Sequence, residues 1–448
     1  MYEVGIYDKK LAWGGEFVLY GDYLCYPLYY VKEGVEKALY SLEIFSYASV
    51  IRYTLPAAIV LALGAFFLPG RALRFAAVTV RQANNPVTPA VTESPAVSST
   101  PTTTPPFTTT TSIAFTPISP PDEIRGIYVT GWTAGSPNTL EAVLARAEKN
   151  NINSVVVDVK DYSGFVSYKT GDSQIAKYGA EGQPRIPDIN RAVMQLKKHR
   201  MYTIARITIF QDSVLAKGAP QWALKSKKSG GLWRDHKGLA WMDPSSQEVW
   251  DYNIRIAKNA LEHGFDEVNF DYVRFPSDGV LSDIVYPFWD GRGEKREVMR
   301  RFFAYLRKEL PDAKISADLF GLVTVREDDM GIGQVLEDAL PYFDAVAPMT
   351  YPSHYVNGFL GYQNPAEYPY EVMRYSLEHA LARVQKANAS GTPVAKLRPW
   401  FQAFDLGATY DQAKMDAQRR AYQELRQSAP DFFDGWLLWD PKNKYYYY

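Results

Sequence analysis

Asp271 and Asp318 each fall late in a short β-rich run, EVNFDYVRF (267 to 275) and KISADLFGL (314 to 322). If those runs are neighbouring strands, the two carboxyl groups can face one substrate from opposite sides. Glycoside hydrolysis needs that arrangement: one carboxylic acid protonates the leaving oxygen, while the other attacks the anomeric carbon or activates water. A gap of roughly 5 Å implies a covalent intermediate and retention, and about 6.5 to 9.5 Å leaves room for water and implies inversion. Adjacent strands favour the shorter gap, so retention is expected.

Further polar residues close the other runs. They are Asp158, Lys160 and Asp161 in SVVVDVKD (154 to 161), Arg206 in YTIARITIF (202 to 210), and Asn269 and Arg274 on either side of Asp271. Tyr351 ends DAVAPMTYP (344 to 352), Gln402 and Asp405 end LRPWFQAFD (397 to 405), and Trp439 and Asp440 end GWLLWDP (435 to 441). A buried carboxylate is costly unless paired or hydrogen-bonded, so several converging at one place share a network, a ligand or a reaction. Any one of them alone could equally cap a helix or pair with a core arginine. The expectation is that Asp271 and Asp318 do the chemistry. Arg206 and Arg274 would orient them or bond sugar hydroxyls, and keep Asp271 ionised by charge pairing. Asp158, Lys160, Asp161, Asn269, Tyr351, Gln402, Asp405, Trp439 and Asp440 would line the substrate site.

These residues need a frame that collects strand ends. The run IRGIYVTGW (124 to 132) completes a set of eight, and segments with helical spacing lie between them, among them TLEAVLARAEKNN, DINRAVMQLKKHR and SQEVWDYNIRIAKNALEHG. Strand and helix alternate from Asp122 onward, which predicts an α/β fold, a (β/α)8 TIM barrel over 122 to 448. An open nucleotide-binding sheet would place a Gly-rich turn after the first strand, and none is there. Reactive groups of a barrel project from the C-terminal strand ends. Alternation then groups Asn269 with Asp271 inside, Ser316 with Asp318 and Phe320, and Asp158 with Lys160. The connection from Gln211 to Ser246 carries Trp222, Trp233 and Trp241. These either stack sugar rings at the mouth or are buried by their own loop.

Composition narrows the partners. Lys plus Arg number 49 against 50 for Asp plus Glu, a net charge of −1, so there is no bulk attraction to nucleic acid. A single cysteine, Cys25, and five scattered histidines give no disulfide scaffold and no spaced zinc ligands, so neither metal nor cofactor is expected. His236 and His354 read as lone histidines. The aromatic content of 14% makes exposed stacking surfaces plausible. Residues 53 to 69 carry no charge over 17 positions and read as a membrane anchor. The Thr, Pro and Ser tract within 70 to 121 reads as an extended linker. Arginines just after the apolar run favour a cytoplasmic C-terminal side, whereas the stalk favours external display; the expectation is an external barrel. No role is assigned to residues 1 to 52.

The stretch GFDEVNFDYVRFPSDG (264 to 279) resembles the YVRFPSDG-type strand-four signature of a glycoside hydrolase family, a domain of unknown function in the α-amylase-like group of TIM barrels. The resemblance runs through most of 122 to 444, including VVVDVKD, ARITIF, WMDPSS, ISADLFG, VAPMTYP and WLLWDP. It implies a hydrolase acting on a polysaccharide or cell-surface glycan. Asp271 would stand where the nucleophile sits, and Asp318 where those enzymes carry an acid/base that is normally Glu. Two departures stand out: Asn269 replaces an arginine two residues before the nucleophile, and FQAFD lacks the strand-seven His-Asp pair. Asp405 or Asp440 would then supply the third carboxylate. The alternative is a glycan-binding or wall-associated barrel without turnover.

Overall fold

The computed structural model describes residues 115–448. Residues 1 to 52, the anchor expected over 53 to 69 and the linker as far as 114 lie outside the described residues. Among the described residues, no helix is long and apolar enough to cross a membrane.

All eight expected runs become strands. We label them β1 (Ile124–Val129), β2 (Ser154–Lys160), β3 (Tyr202–Thr208), β4 (Glu267–Asp271), β5 (Lys314–Phe320) and β6 (Ala345–Met349). β7 is interrupted, comprising Lys396–Leu397 and Trp400–Gln402, and β8 is Gly435–Trp439. Every barrel pairing is parallel, and the order closes on itself through β8 against β1, from Ile124↔Gly435 to Ile127↔Leu438. The break in β7 falls at Arg398 and Pro399, where proline has no N–H for the ladder. Beyond it, Trp400 pairs with both Met349 of β6 and Leu437 of β8, which completes the barrel.

Burial on both faces explains the composition of the strands. All seven residues of β2, SVVVDVK, are buried, as a parallel strand wrapped by helices requires. The amphipathic stretches form helices Pro137–Lys149, Ile189–Lys198, Gln247–Glu262, Lys295–Glu309, Pro369–Ala389 and Gln412–Ser428. Asp188, Ser246 and Asp411 cap the N-termini of three of them by accepting a backbone N–H, which starts each helix at a defined residue.

Strand alternation separates two cores. Val155, Val157, Ile207, Phe270 and Leu319 face the helices. Ile124, Val156, Tyr202, Ile204, Ala347, Trp400 and Leu437 fill the barrel. At the N-terminal end, Arg398 closes the interior: it donates to Glu267 at 2.6 Å and to both oxygens of Asp434 at 3.1 and 2.6 Å. Tyr202 and Ser316 donate the remaining hydrogen bonds to Glu267. This end is a packed, ion-paired floor that serves stability rather than chemistry.

Candidate active site

At the opposite end, one guanidinium collects three carboxylates. Arg206, inward on β3, donates from Nη1 to Asp158 Oδ1 at 2.5 Å and from Nη2 to Asp271 Oδ2, and its Nε lies 3.7 Å from Asp318 Oδ2. Strand register brings them there: Asp158 pairs with Arg206, Arg206 with Asn269, and Thr208 with Asp271. All four side chains are nearly buried, so these charges interact through protein rather than water. Burial alone would lower the Arg206 pKa, but the surrounding carboxylates raise it well above the ordinary arginine range.

The two aspartates have different surroundings. Asp318, only 1% exposed, accepts at Oδ1 from Trp400 Nε1 at 2.7 Å and from Asn269 Nδ2 at 3.0 Å. Burial, reinforced by the charge of Asp271 and opposed by Arg206, pushes the Asp318 carboxyl up to about 8. Because Oδ1 is held as an acceptor by two donors, Oδ2 is the oxygen that carries the proton. Asp271 instead ends its strand in an ion pair with Arg206, and the next N–H, of Tyr272, donates to its Oδ1 at 2.5 Å. Tyr272 has φ 53, a left-handed conformation uncommon for a bulky side chain. That strain sits immediately beside Asp271, where the chain leaves the barrel.

Asp158 is the third carboxylate. Tyr128 donates its hydroxyl to Asp158 Oδ2 at 2.5 Å, and burial raises the Asp158 pKa against the pull of Arg206. Trp439 stacks on Tyr128 with centroids 4.0 Å apart, and the Arg206 guanidinium lies 5.0 Å from the Trp439 ring. Tyr351 packs edge-on to Phe404 and His354 beside them. Trp439, Met349 and Phe404 are only half-buried and form the accessible edge of this cluster. Asn269 Oδ1 and Arg206 Nε are buried without a hydrogen-bond partner.

Several expected lining residues lie elsewhere. Lys160 does not share a face with Asp158, because the register slips between them at a β-bulge. Its ammonium points to the helix layer, bonding Thr208 O and Asn253 Oδ1 at 2.8 Å and pairing with Asp212 at 2.7 Å. Asp440 is held in the turn after β8, where its oxygens accept from the N–H groups of Lys442, Lys444 and Tyr445. Asp405 is exposed and accepts from Tyr410 N. Gln402 is a clamp: its amide donates to Phe404 O and Leu406 O and accepts from Ser353 N, tying the loops after β6 and β7 together. Arg274 lies beyond β4 among the rings of Phe320, Trp241 and Tyr272, and bonds Ser277 and Phe275 O. Asp161 pairs with Arg185 at 3.0 Å on the rim.

The loop tryptophans resolve toward self-burial. Trp233 and Trp241 are 2% and 0% exposed, donating to Val280 O and Asp235 Oδ2, while Trp222 is half-buried. Two mouth residues escaped the sequence reading. Tyr128 and Trp400 are uncharged, yet their inward parity beside Gly126 and Gln402 was the available signal. Among the described residues, no group of three or more His, Cys, Asp or Glu side chains is arranged to hold a metal ion.

A family model described as "Putative glycosyl hydrolase domain" matches residues 126–445. A hypothetical protein from Ruminiclostridium thermocellum is 36% identical over 46% of this chain and 98% of its own, with a TM-score of 0.40. The glycoside hydrolase domain of PelA from Pseudomonas aeruginosa is 12% identical over 72% of this chain and 96% of its own, with a TM-score of 0.40. An α-galactosidase from Thermus thermophilus, solved with stachyose, is 14% identical over 73% of this chain and 63% of its own, with a TM-score of 0.43. Among curated proteins, nothing matches the chain.

Proposed function

The chain belongs to the family described as "Putative glycosyl hydrolase domain", and from that premise we propose that it cleaves O-glycosidic bonds of a polysaccharide or cell-surface glycan with Asp271 and Asp318. The observation that carries this reading is the contrast between the two carboxyl groups around Arg206. Asp318 is kept protonated by burial and by the charge of Asp271, as a general acid requires. Asp271 is paired charge to charge with Arg206, as a nucleophile or base requires. A carboxyl group pushed up by burial, beside a second one held in an ion pair, is the pattern expected of an acid and its partner.

In this mechanism Asp318 delivers its Oδ2 proton to the leaving oxygen, and Trp400 and Asn269 hold the carboxyl in place through Oδ1. Asp271 attacks the anomeric carbon, and Asp318, now ionised, takes a proton from the water that releases the sugar. Arg206 supports both steps because it reaches all three carboxylates and remains charged throughout. Retention is the favoured course, since both carboxyl groups lie against one guanidinium. Membrane anchoring through 53 to 69, with external display, belongs to the same reading and rests on the uncharged run alone; fractionation of cells expressing the full chain tests it.

The test is Asp271→Asn, assayed for reducing-end release on a glycan panel. Turnover falls by several orders of magnitude while the fold persists, because the amide still accepts from Arg206. If an active parent loses nothing, Asp271 is not catalytic. A parent that binds glycans and releases no reducing ends is a binding barrel.

A further inference from the structure

The rim above β1 and β2 carries a feature that the carboxylate chemistry does not use. Gly131–Gly135 turns into a short helix immediately after β1, and Trp132 on it is 65% exposed, the only exposed tryptophan among the described residues. The indole stands on a fixed base. A Cβ on Gly131 would come within 2.5 Å of Ser167 Oγ, and one on Gly135 within 1.9 Å of Arg185 O, so only glycine lets this turn seat so closely. Arg185, itself nearly buried, is tied to Asp161 at 3.0 Å and to Ser163 Oγ at 3.2 Å. Its guanidinium carbon lies 5.7 Å from the centre of the Trp132 ring.

Asp161 therefore acts through Arg185, as a positioning residue that braces the ring. Tyr162 follows it at the exit of β2 and is 43% exposed. Val129 pairs with Val157, so the exits of β1 and β2 lie side by side, directly above Tyr128 and Asp158. An exposed indole and phenol thus stand at the strand exits next to the carboxylate cluster. Large apolar faces left in water on a rigid base mark a binding surface, and the C–H face of a pyranose suits them.

We propose that Trp132 and Tyr162 form a stacking subsite for a sugar unit outside the cleavage point, so that the barrel engages a glycan chain rather than a single sugar. The proposal rests on the hydrolase reading above for its substrate class. The mouth carries three carboxyl groups against one arginine, and Arg185 is already balanced by Asp161. This charge pattern selects uncharged or amine-bearing chains over polyuronates.

The experiment uses the full chain carrying Asp271→Asn, so that turnover does not confuse binding. The probes are cello-, malto-, chito- and chitosan-oligosaccharides, with oligogalacturonate as the anionic comparison, read by tryptophan fluorescence and calorimetry. Binding to at least one uncharged or amine-bearing oligosaccharide is expected, with Trp132→Ala weakening it about ten-fold, equivalent to about 1.4 kcal/mol, and Trp132→Phe restoring part of the loss. Unchanged melting of Trp132→Ala separates lost stacking from lost fold. Equal binding with and without Trp132, binding to oligogalacturonate alone, or no binding to any probe overturns the proposal. None of these outcomes bears on the catalytic pair, whose failure is read from turnover by the parent against Asp271→Asn.

Discussion

Asp318→Asn separates a carboxyl group held neutral for chemistry from one that merely satisfies a buried network. Burial and the charge of Asp271 push the group up to about 8, against an ordinary value of 3.8. Between those values the folded state keeps a proton that the unfolded chain releases, so stability falls as pH rises from about 4 to about 8 and levels off beyond. At about 1.36 kcal/mol per unit, the difference accumulated by pH 7 is on the order of 4 kcal/mol. Asp318 is 1% exposed, so solvent screening does little to reduce it. The substitution keeps an acceptor for Trp400 and Asn269 and removes the titration. Asp318→Asn should therefore match the parent near pH 4 and become progressively more stable toward pH 8, while losing turnover throughout, the trade-off expected of a functional acid. Denaturant unfolding of the full chain across that range measures it. Parallel stability profiles for parent and variant would refute the claim that Asp318 is kept protonated, and the general-acid assignment would fall with it.

The same group should set the basic limb of activity. kcat/KM is expected to fall above about pH 8, as the acid loses its proton, with the apparent value belonging to the Asp271 and Asp318 pair rather than to either alone; a flat profile to pH 10 contradicts this. Lys160→Met leaves Asp212 buried without its cation and should cost about 3 to 5 kcal/mol, with kcat/KM of the folded fraction unchanged. A specific loss of kcat would return Lys160 to the mouth. Arg398→Met strips Glu267 and Asp434 of their shared partner and should destabilise by a similar margin, about 3 to 5 kcal/mol, without moving the pH profile. Gly279 has φ +89, and an added Cβ would lie 2.7 Å from Trp233 Cζ2. Gly279→Ala should then cost at least about 1 to 2 kcal/mol and alter tryptophan emission as the loop gives way.

Sequence periodicity carried most of the frame because a barrel strand buried on both faces has little compositional freedom: SVVVDVK admits its one carboxylate only where Arg206 can meet it. Parity alone assigned Asn269, Asp271 and Asp318 to the interior, and their hydrogen bonds agree. Parity fails where the backbone leaves the pleat. A bulge after Asp158 turns Lys160 to the helices, and no residue type announces it, since Val159 fits either geometry. Asp440 turns away from the cluster for a different reason. A carboxylate followed within four residues by free N–H groups is drawn into its own turn, and PKNK after Asp440 supplies them. Asp158 has no such escape, because its neighbours remain in the ladder, so its charge has to be answered from across the barrel. The residues that gather around Arg206 are those still held by the pleat when they reach the mouth. That condition also explains why the third carboxylate came from β2 instead of the loops after β7 or β8: a group fixed by strand register cannot turn away from Arg206, whereas one in a turn can satisfy itself locally at less cost.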